Sequence, residues 1–167
     1  MGTSISEAIE SYLYSILSLE PKTRSWYQQK LQVFGDWCQE KDVMLEMLKA
    51  AHLRQFIEDL KTRPSHKPGQ QVSSYTLHGY IQVLKTFLTW CSNDEDYEDI
   101  ITDKLIRKIP KIKVDVKVIE VFTDDQINRL YKACKREYND FLRERDDLIL
   151  ALFLGTGIRS GELQAVK

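Results

Sequence analysis

The sequence predicts an all-α protein: four helices in a first bundle, then an extended segment, then the opening helices of a second domain. Three observations carry this. Through most of the 167 residues, apolar side chains recur at spacings of three and four, which is how a helix buries one face. Period-2 alternation occurs in one short stretch, where Ile112, Val114, Val116 and Val118 alternate with Lys111, Lys113, Asp115 and Lys117, and a lone strand has nothing to pair with. Proline and glycine break the pattern at RPSHKPGQQ, residues 63–71, and at Gly155 and Gly157, where a loop and a helix end are expected.

Ser4 or Ser6 can cap a first helix over roughly 6–19, with Ile9, Leu13, Ile16 and Leu17 on its apolar side. Pro21 suits the first turn of a second helix, with Thr23 or Ser25 as alternative starts. That helix runs to about Glu40 and aligns Tyr27, Leu31, Phe34 and Cys38. A third covers about 49–62, burying Leu53, Phe56, Ile57 and Leu60. Ser73 or Ser74 caps the fourth and longest, which ends near Asn93. Its apolar stripe is Leu77, Tyr80, Ile81, Leu84, Phe87, Leu88 and Cys91, while His78, Gln82, Lys85 and Thr89 share another face. The alternating stretch within 103–122 follows Pro110 and reads as an interdomain linker. Thr123 then caps a helix with Asp124 and Asp125 in its first turn, where the helix dipole favours acids. Its inner face is Ile127, Leu130, Tyr131 and Cys134. A helix over about 140–154 ends in LILALFL and is expected to be deeply buried, stopping at Gly155 and Gly157. A last helix opens near Ser160 and is expected to be still running at Lys167, as in an incomplete domain.

Composition excludes several classes. Cys38, Cys91 and Cys134 lie far apart inside helical patterns, so they read as small buried hydrophobes of a reducing compartment and the localisation expected is cytoplasmic. His52, His66 and His78 form no metal-spaced cluster with them, and neither a metal nor another cofactor is expected. No apolar run reaches the length that crosses a bilayer, so no membrane partner is expected either. Net charge is −1, without the basic excess of many DNA-binding domains, but the charge is segregated. Residues 60–93 hold Lys61, Arg63, Lys67 and Lys85 and no acid; 104–117 holds six basic residues against Asp115; between them lies DEDYED, 94–99. Taken alone, such runs are ordinary solvated faces.

The stretch that carries chemistry is Thr156-Gly157-Ile158-Arg159-Ser160-Gly161-Glu162-Leu163. A buried helix stops at glycine, an arginine opens the next helix, and a carboxylate follows three residues on. Free N–H groups at a helix start favour a phosphate, and the planar guanidinium matches phosphate oxygens. An arbitrary Arg–Glu pair at this spacing is merely a surface pair worth tenths of a kcal/mol. In its context, however, this octapeptide resembles the T-G-x-R-x-x-E-L box of tyrosine recombinases and phage integrases. Phe122-Thr123-Asp124-Asp125-Gln126-Ile127 resembles the opening of that family's catalytic domain, and Arg145-Asp146 sits where the family often has such a pair. Upstream, Thr23, Tyr27, Leu31, Phe34 and Trp37, and then Leu84, Lys85, Phe87 and Trp90, are similar to patterns of its core-binding domain. The similarity runs along nearly the whole chain in the family's order.

The resemblance implies a SAM-like four-helix core-binding domain over 1–102, a linker over 103–122, and the N-terminal piece of a catalytic domain over 123–167. It implies that Arg159 contacts the scissile phosphate and Glu162 supports it. The partners implied are duplex DNA at a recombination site and further copies of the protein in a tetrameric synapse. The chemistry implied is strand cleavage through a 3′-phosphotyrosyl link without metal or nucleotide, with cations stabilising phosphoryl charge. The family's β-hairpin lysine, H-x-x-R box and tyrosine nucleophile follow the first arginine, and no residue here matches them. The chain is therefore expected to bind DNA without cutting it, and its reading frame to continue past Lys167. Candidate DNA contacts are Lys85, His78 and Gln82 on the long helix, Lys61 and Lys67 around the loop, and Lys111 and Lys113 in the linker; such lysines set affinity rather than sequence preference. Competing readings are a DNA-binding regulator on the same core-binding domain, and a helical protein–protein interaction module.

Overall fold

The chain divides into two compact units, Met1–Val116 and Lys117–Lys167. The computed structural model describes residues 3–63, 71–114, 118 and 120–166, so Lys67 and His66 lie outside the described residues. All regular structure among the described residues is helical. The first unit holds α1 (Ile5–Ser15), α2 (Pro21–Glu40), α3 (Ala50–Thr62), α4 (Ser74–Cys91) and a short α5 (Asp103–Ile106); the second holds α6 (Asp124–Cys134), α7 (Asp140–Thr156) and α8 (Ser160–Ala165).

Local chemistry sets most boundaries. Ser4 caps α1 in a reciprocal box with Glu7, whose carboxylate accepts the Ser4 N–H at 3.0 Å. The helix stops at Ser15, short of the 19 expected. Proline at the start of α2 forces Glu20 into extended backbone (φ −54°, ψ 142°), so the chain leaves the helix earlier through i→i−3 bonds from Leu17 and Leu19. Leu17 is consequently exposed rather than part of the apolar stripe.

At the other end of α2, Val43 N–H donates to the Cys38 carbonyl at 2.8 Å and Asp42 N–H to that of Gln39 at 3.2 Å. This is a Schellman closure, and its left-handed position (φ 52°) is occupied by Asp42 instead of glycine. An L-residue there costs about 1 kcal/mol that glycine would not, partly offset by glycine's freer unfolded chain. Asp42→Gly is therefore expected to raise the stability of the first unit by about 0.5 kcal/mol, read as a higher urea midpoint. A lower midpoint would show that the Asp42 side chain does more than tolerate the turn.

The helix α4 is the spine of the first unit and packs against α1, α2, α3 and α5. Leu77, Ile81, Val83, Leu84, Phe87, Leu88 and Cys91 are all buried on it; Val83 was absent from the stripe expected from sequence. Around them lie Leu31, Phe34, Trp37 and Cys38 of α2 and Leu53, Phe56, Ile57 and Leu60 of α3. Tyr12 meets the rings of Tyr27, Phe87 and Trp90 within 5.8 Å. The Trp37 indole donates to Asp59 Oδ2 at 2.8 Å, satisfying the one polar atom it brings into the core. Residues 103–112, read from sequence as the start of the linker, carry further apolar side chains at helical spacing. Ile101 and Ile109 are buried, and Leu105, Ile106 and Ile112 pack partly against the same core.

In the second unit Thr123 and Gln126 form a capping box at 2.9 and 3.3 Å, and α6 lies against α7. Ile127, Tyr131 and Cys134 are half-buried, but Leu130 is exposed. The expectation that α7 is deeply buried is overturned: none of its residues is buried, and Phe141 and Leu148 are 72% and 60% exposed. A helix apolar on several sides needs neighbours on several sides, and within its unit α7 packs mainly on α6. The last helix is likewise shorter than expected, ending at Ala165 rather than running to Lys167.

Candidate nucleic-acid interface and phosphate-binding arginine

The two candidate sites lie in different units. The first is a groove of about 540 Å³ between α2 and the N-terminal half of α4, lined by Trp26, Lys30, Tyr75, Thr76, His78, Gly79 and Gln82. Trp26 and Lys30 stand one turn apart on α2, so their side chains fall on the same side of the helix. Lys30 Nζ sits 5.1 Å from the Trp26 ring centre and 4.7 Å from that of Tyr80, a cation held against two aromatic faces. Burial lowers the pKa of this ammonium from the ordinary lysine value. The Gly79 backbone leaves room for it, since a Cβ there would come 3.2 Å from Lys30 Cε. Tyr75, at the groove's edge, is 77% exposed.

Two of the residues expected to touch DNA, His78 and Gln82, thus line one groove. Lys85 continues their stripe along α4 but is half-buried. Lys61 sits elsewhere, on α3, with its ammonium 2.6 Å from Glu58. Lys111 and Lys113 are exposed and apart from the groove lining. A shallow depression beside α5 is lined by Asp103, Lys104, Arg107 and Lys108. These basic residues were counted in the charge of the segment without being named as contacts. Sequence reasoning also missed Trp26, Lys30 and Tyr75. A signal existed in the i, i+4 placement of Trp26 and Lys30 beside the core stripe of α2, but it becomes a site only once α4 lies alongside.

The second site is the turn from α7 to α8. Thr156 Oγ1 donates to the Leu152 carbonyl at 2.7 Å and accepts the Ile158 N–H at 3.2 Å. Gly157 takes the left-handed conformation (φ 66°), its N–H closing α7 onto the Phe153 carbonyl, where any other residue would be strained. Arg159 is then extended (φ −78°, ψ 150°) as the N-cap of α8. Glu162 grips it twice: Oε2 accepts the Arg159 N–H at 2.9 Å, and Oε1 lies 3.2 Å from Nη1. The first of these bonds occupies one of the N–H groups at this helix start, that of Arg159 itself. The guanidinium itself is 85% exposed, so most of its donors face solvent.

Among the described residues no His, Cys, Asp and Glu group could hold a metal ion. His52 serves its own helix, its Nδ1 accepting the Lys49 N–H at 3.2 Å. No described helix is long and apolar enough to cross a membrane.

No protein-family model matches the chain. Over 119 residues, 68% of its length, it is 29% identical to a tyrosine recombinase, XerA, of Saccharolobus solfataricus. The match spans about a third, 34%, of that relative. Its fold is similar to the N-terminal domain of a phage integrase/site-specific recombinase from Haloarcula marismortui, with a TM-score of 0.53 and 22% identity over 66% of this chain and 97% of that one.

Proposed function

We propose, from the likeness to a tyrosine recombinase over 119 residues, that the chain is the DNA-binding N-terminal part of a site-specific recombinase. Its first unit holds the duplex, and its second presents the first arginine of the active site. The observation that carries the DNA reading is the groove between α2 and α4, where an acid-free lining joins a lysine to Trp26, Tyr75, His78 and Gln82. A duplex carries one negative charge about every 1.7 Å along its axis, and a protein that neutralises its phosphates releases bound counterions. Lys85 lies one turn beyond Gln82 on α4, outside the groove lining, and Lys111 and Lys113 supply further exposed cations. Lys61 contributes less, because a phosphate must compete with Glu58 for its ammonium.

In the complete protein, Arg159 would bind a non-bridging oxygen of the scissile phosphate while Glu162 fixes its fork. A guanidinium held in place beforehand stabilises the charge that grows on the phosphoryl group during attack by a tyrosine. That tyrosine would leave a 3′-phosphotyrosyl link, and further copies in a tetrameric synapse would exchange strands. No residue in this chain matches the nucleophile, so the proposed activity of the chain itself is binding.

The test is a titration of labelled duplexes by fluorescence anisotropy at several salt concentrations, with Lys85→Ala alongside. The expected slope of log K against log salt is several units negative, and Lys85→Ala makes it shallower by about 0.9. A nicked duplex should give no detergent-resistant adduct. Absence of binding at low salt would overturn the DNA reading, and a covalent adduct would overturn the assignment of binding alone.

A further inference from the structure

We propose that Lys30 is a pre-positioned phosphate contact of the α2–α4 groove, and that Gly79 is the residue that keeps it in position. The inference rests on the DNA-binding reading and adds to it a particular cation and the means of holding it.

A solvent-facing lysine gives up side-chain entropy when it is fixed on a ligand. Lys30 has already lost much of that freedom. Its ammonium lies against Trp26 and Tyr80, its Cε lies over Gly79, and the side chain is half-buried. Among the described residues no carboxylate is within ion-pair distance of it, and none lines the groove. A confined cation without an anion, in an acid-free groove, is complementary to an anion from outside. The neighbouring groups favour a nucleic-acid backbone over a small anion. Thr76, His78 and Gln82 offer further hydrogen bonds along the groove, and the exposed Tyr75 and Trp26 present apolar faces to sugars.

Gly79 lies in the interior of α4, where glycine is less favourable than alanine. What the glycine provides is space. A methyl there meets the flexible end of Lys30 at 3.2 Å, while its distance to Trp26 Cζ2, 3.6 Å, is ordinary contact. Gly79→Ala therefore pushes the end of Lys30 by a few tenths of an ångström, off its seat on the two rings, without removing its charge.

The experiment titrates parent, Lys30→Met, Gly79→Ala and Lys85→Ala against the same labelled duplex across a salt series, with a thermal melt of each. Lys30→Met is expected to bind about eightfold more weakly near 0.1 M salt, with a slope shallower by about 0.9, as for one lost phosphate contact. Gly79→Ala is expected to melt at or above the parent temperature and still to bind severalfold more weakly. A merely structural glycine would not separate stability from binding in that way. If Lys30→Met binds like the parent while Lys85→Ala is weakened, the inference is overturned and the DNA reading stands. If Lys30→Met is weakened but Gly79→Ala binds like the parent, the positioning role is overturned. A parent without affinity for duplex at low salt overturns both readings together.

Discussion

Phe87→Ala is expected to destabilise the first unit by about 4 kcal/mol. Phe87 is fully buried in the C-terminal part of α4, edge-on to Tyr12 with ring centres 5.7 Å apart. Truncation removes the transfer energy of the ring and leaves a cavity that α4, held on several sides, cannot collapse to fill. For a domain of this size each kcal/mol lowers the melting temperature by about 4–8 °C, so a loss of roughly 15–30 °C should be seen in a thermal melt. The control is Tyr75→Ala on the same helix, whose side chain is largely in solvent and whose loss should cost under about 0.5 kcal/mol. If Phe87→Ala melts within a few degrees of the parent, α4 is not the spine of this unit.

The same helix shows how far the sequence could be read. Its cap at Ser73 and nearly all of its buried stripe are local patterns, and α2 was legible from Pro21 to Glu40 for the same reason. So was the Arg159–Glu162 pair, because three residues of separation and a glycine stop fix its geometry without any distant partner. What could not be read depends on which elements meet. Trp26 and Lys30 look like surface residues of α2 until α4 lies beside them with a glycine at the point of closest approach. The apolar run of α7 says that a helix wants cover on several sides, but not what provides it, and here all of that run stays half-buried or exposed. Residues 103–112 were obscured by the alternation that begins at Lys111: the isoleucines just upstream follow a helical spacing and cap the core against α4.

That distinction bears on function. The arginine turn is built from its own octapeptide, with Thr156 and Gly157 shaping the end of α7 and Glu162 holding Arg159, so it can form before any DNA is bound. The groove is a tertiary product and exists only when α2 and α4 are docked. Loss of the first unit's packing should therefore abolish the proposed DNA binding while leaving the turn's local hydrogen bonds intact.

The second large effect is expected on the alkaline side. Burial pushes the thiol of Cys38 up to about 12, and burial, then the nearby Asp94, pushes that of Cys91 up to about 12. Burial, reinforced by Tyr27, also raises the Tyr12 phenol above its ordinary value. These groups are protonated in the folded protein at pH values where the unfolded chain has begun to release its protons. A raised folded pKa contributes stability that is complete below the unfolded value, here about pH 9 for the thiols, and that is lost as the pH climbs toward 12. Each thiol contributes on the order of 3 kcal/mol across that window, and the phenol adds to the loss above pH 10. The melting temperature should hold steady from pH 7 to 8.5 and fall steeply by pH 10.5. Replacing both thiols, Cys38→Ala with Cys91→Ala, should lower the starting temperature and flatten the fall, leaving the part due to Tyr12. A parent profile as flat at pH 10.5 as at pH 8 would mean that these side chains are not sealed in the core, and a double variant that falls as steeply as the parent would assign the alkaline loss to other groups.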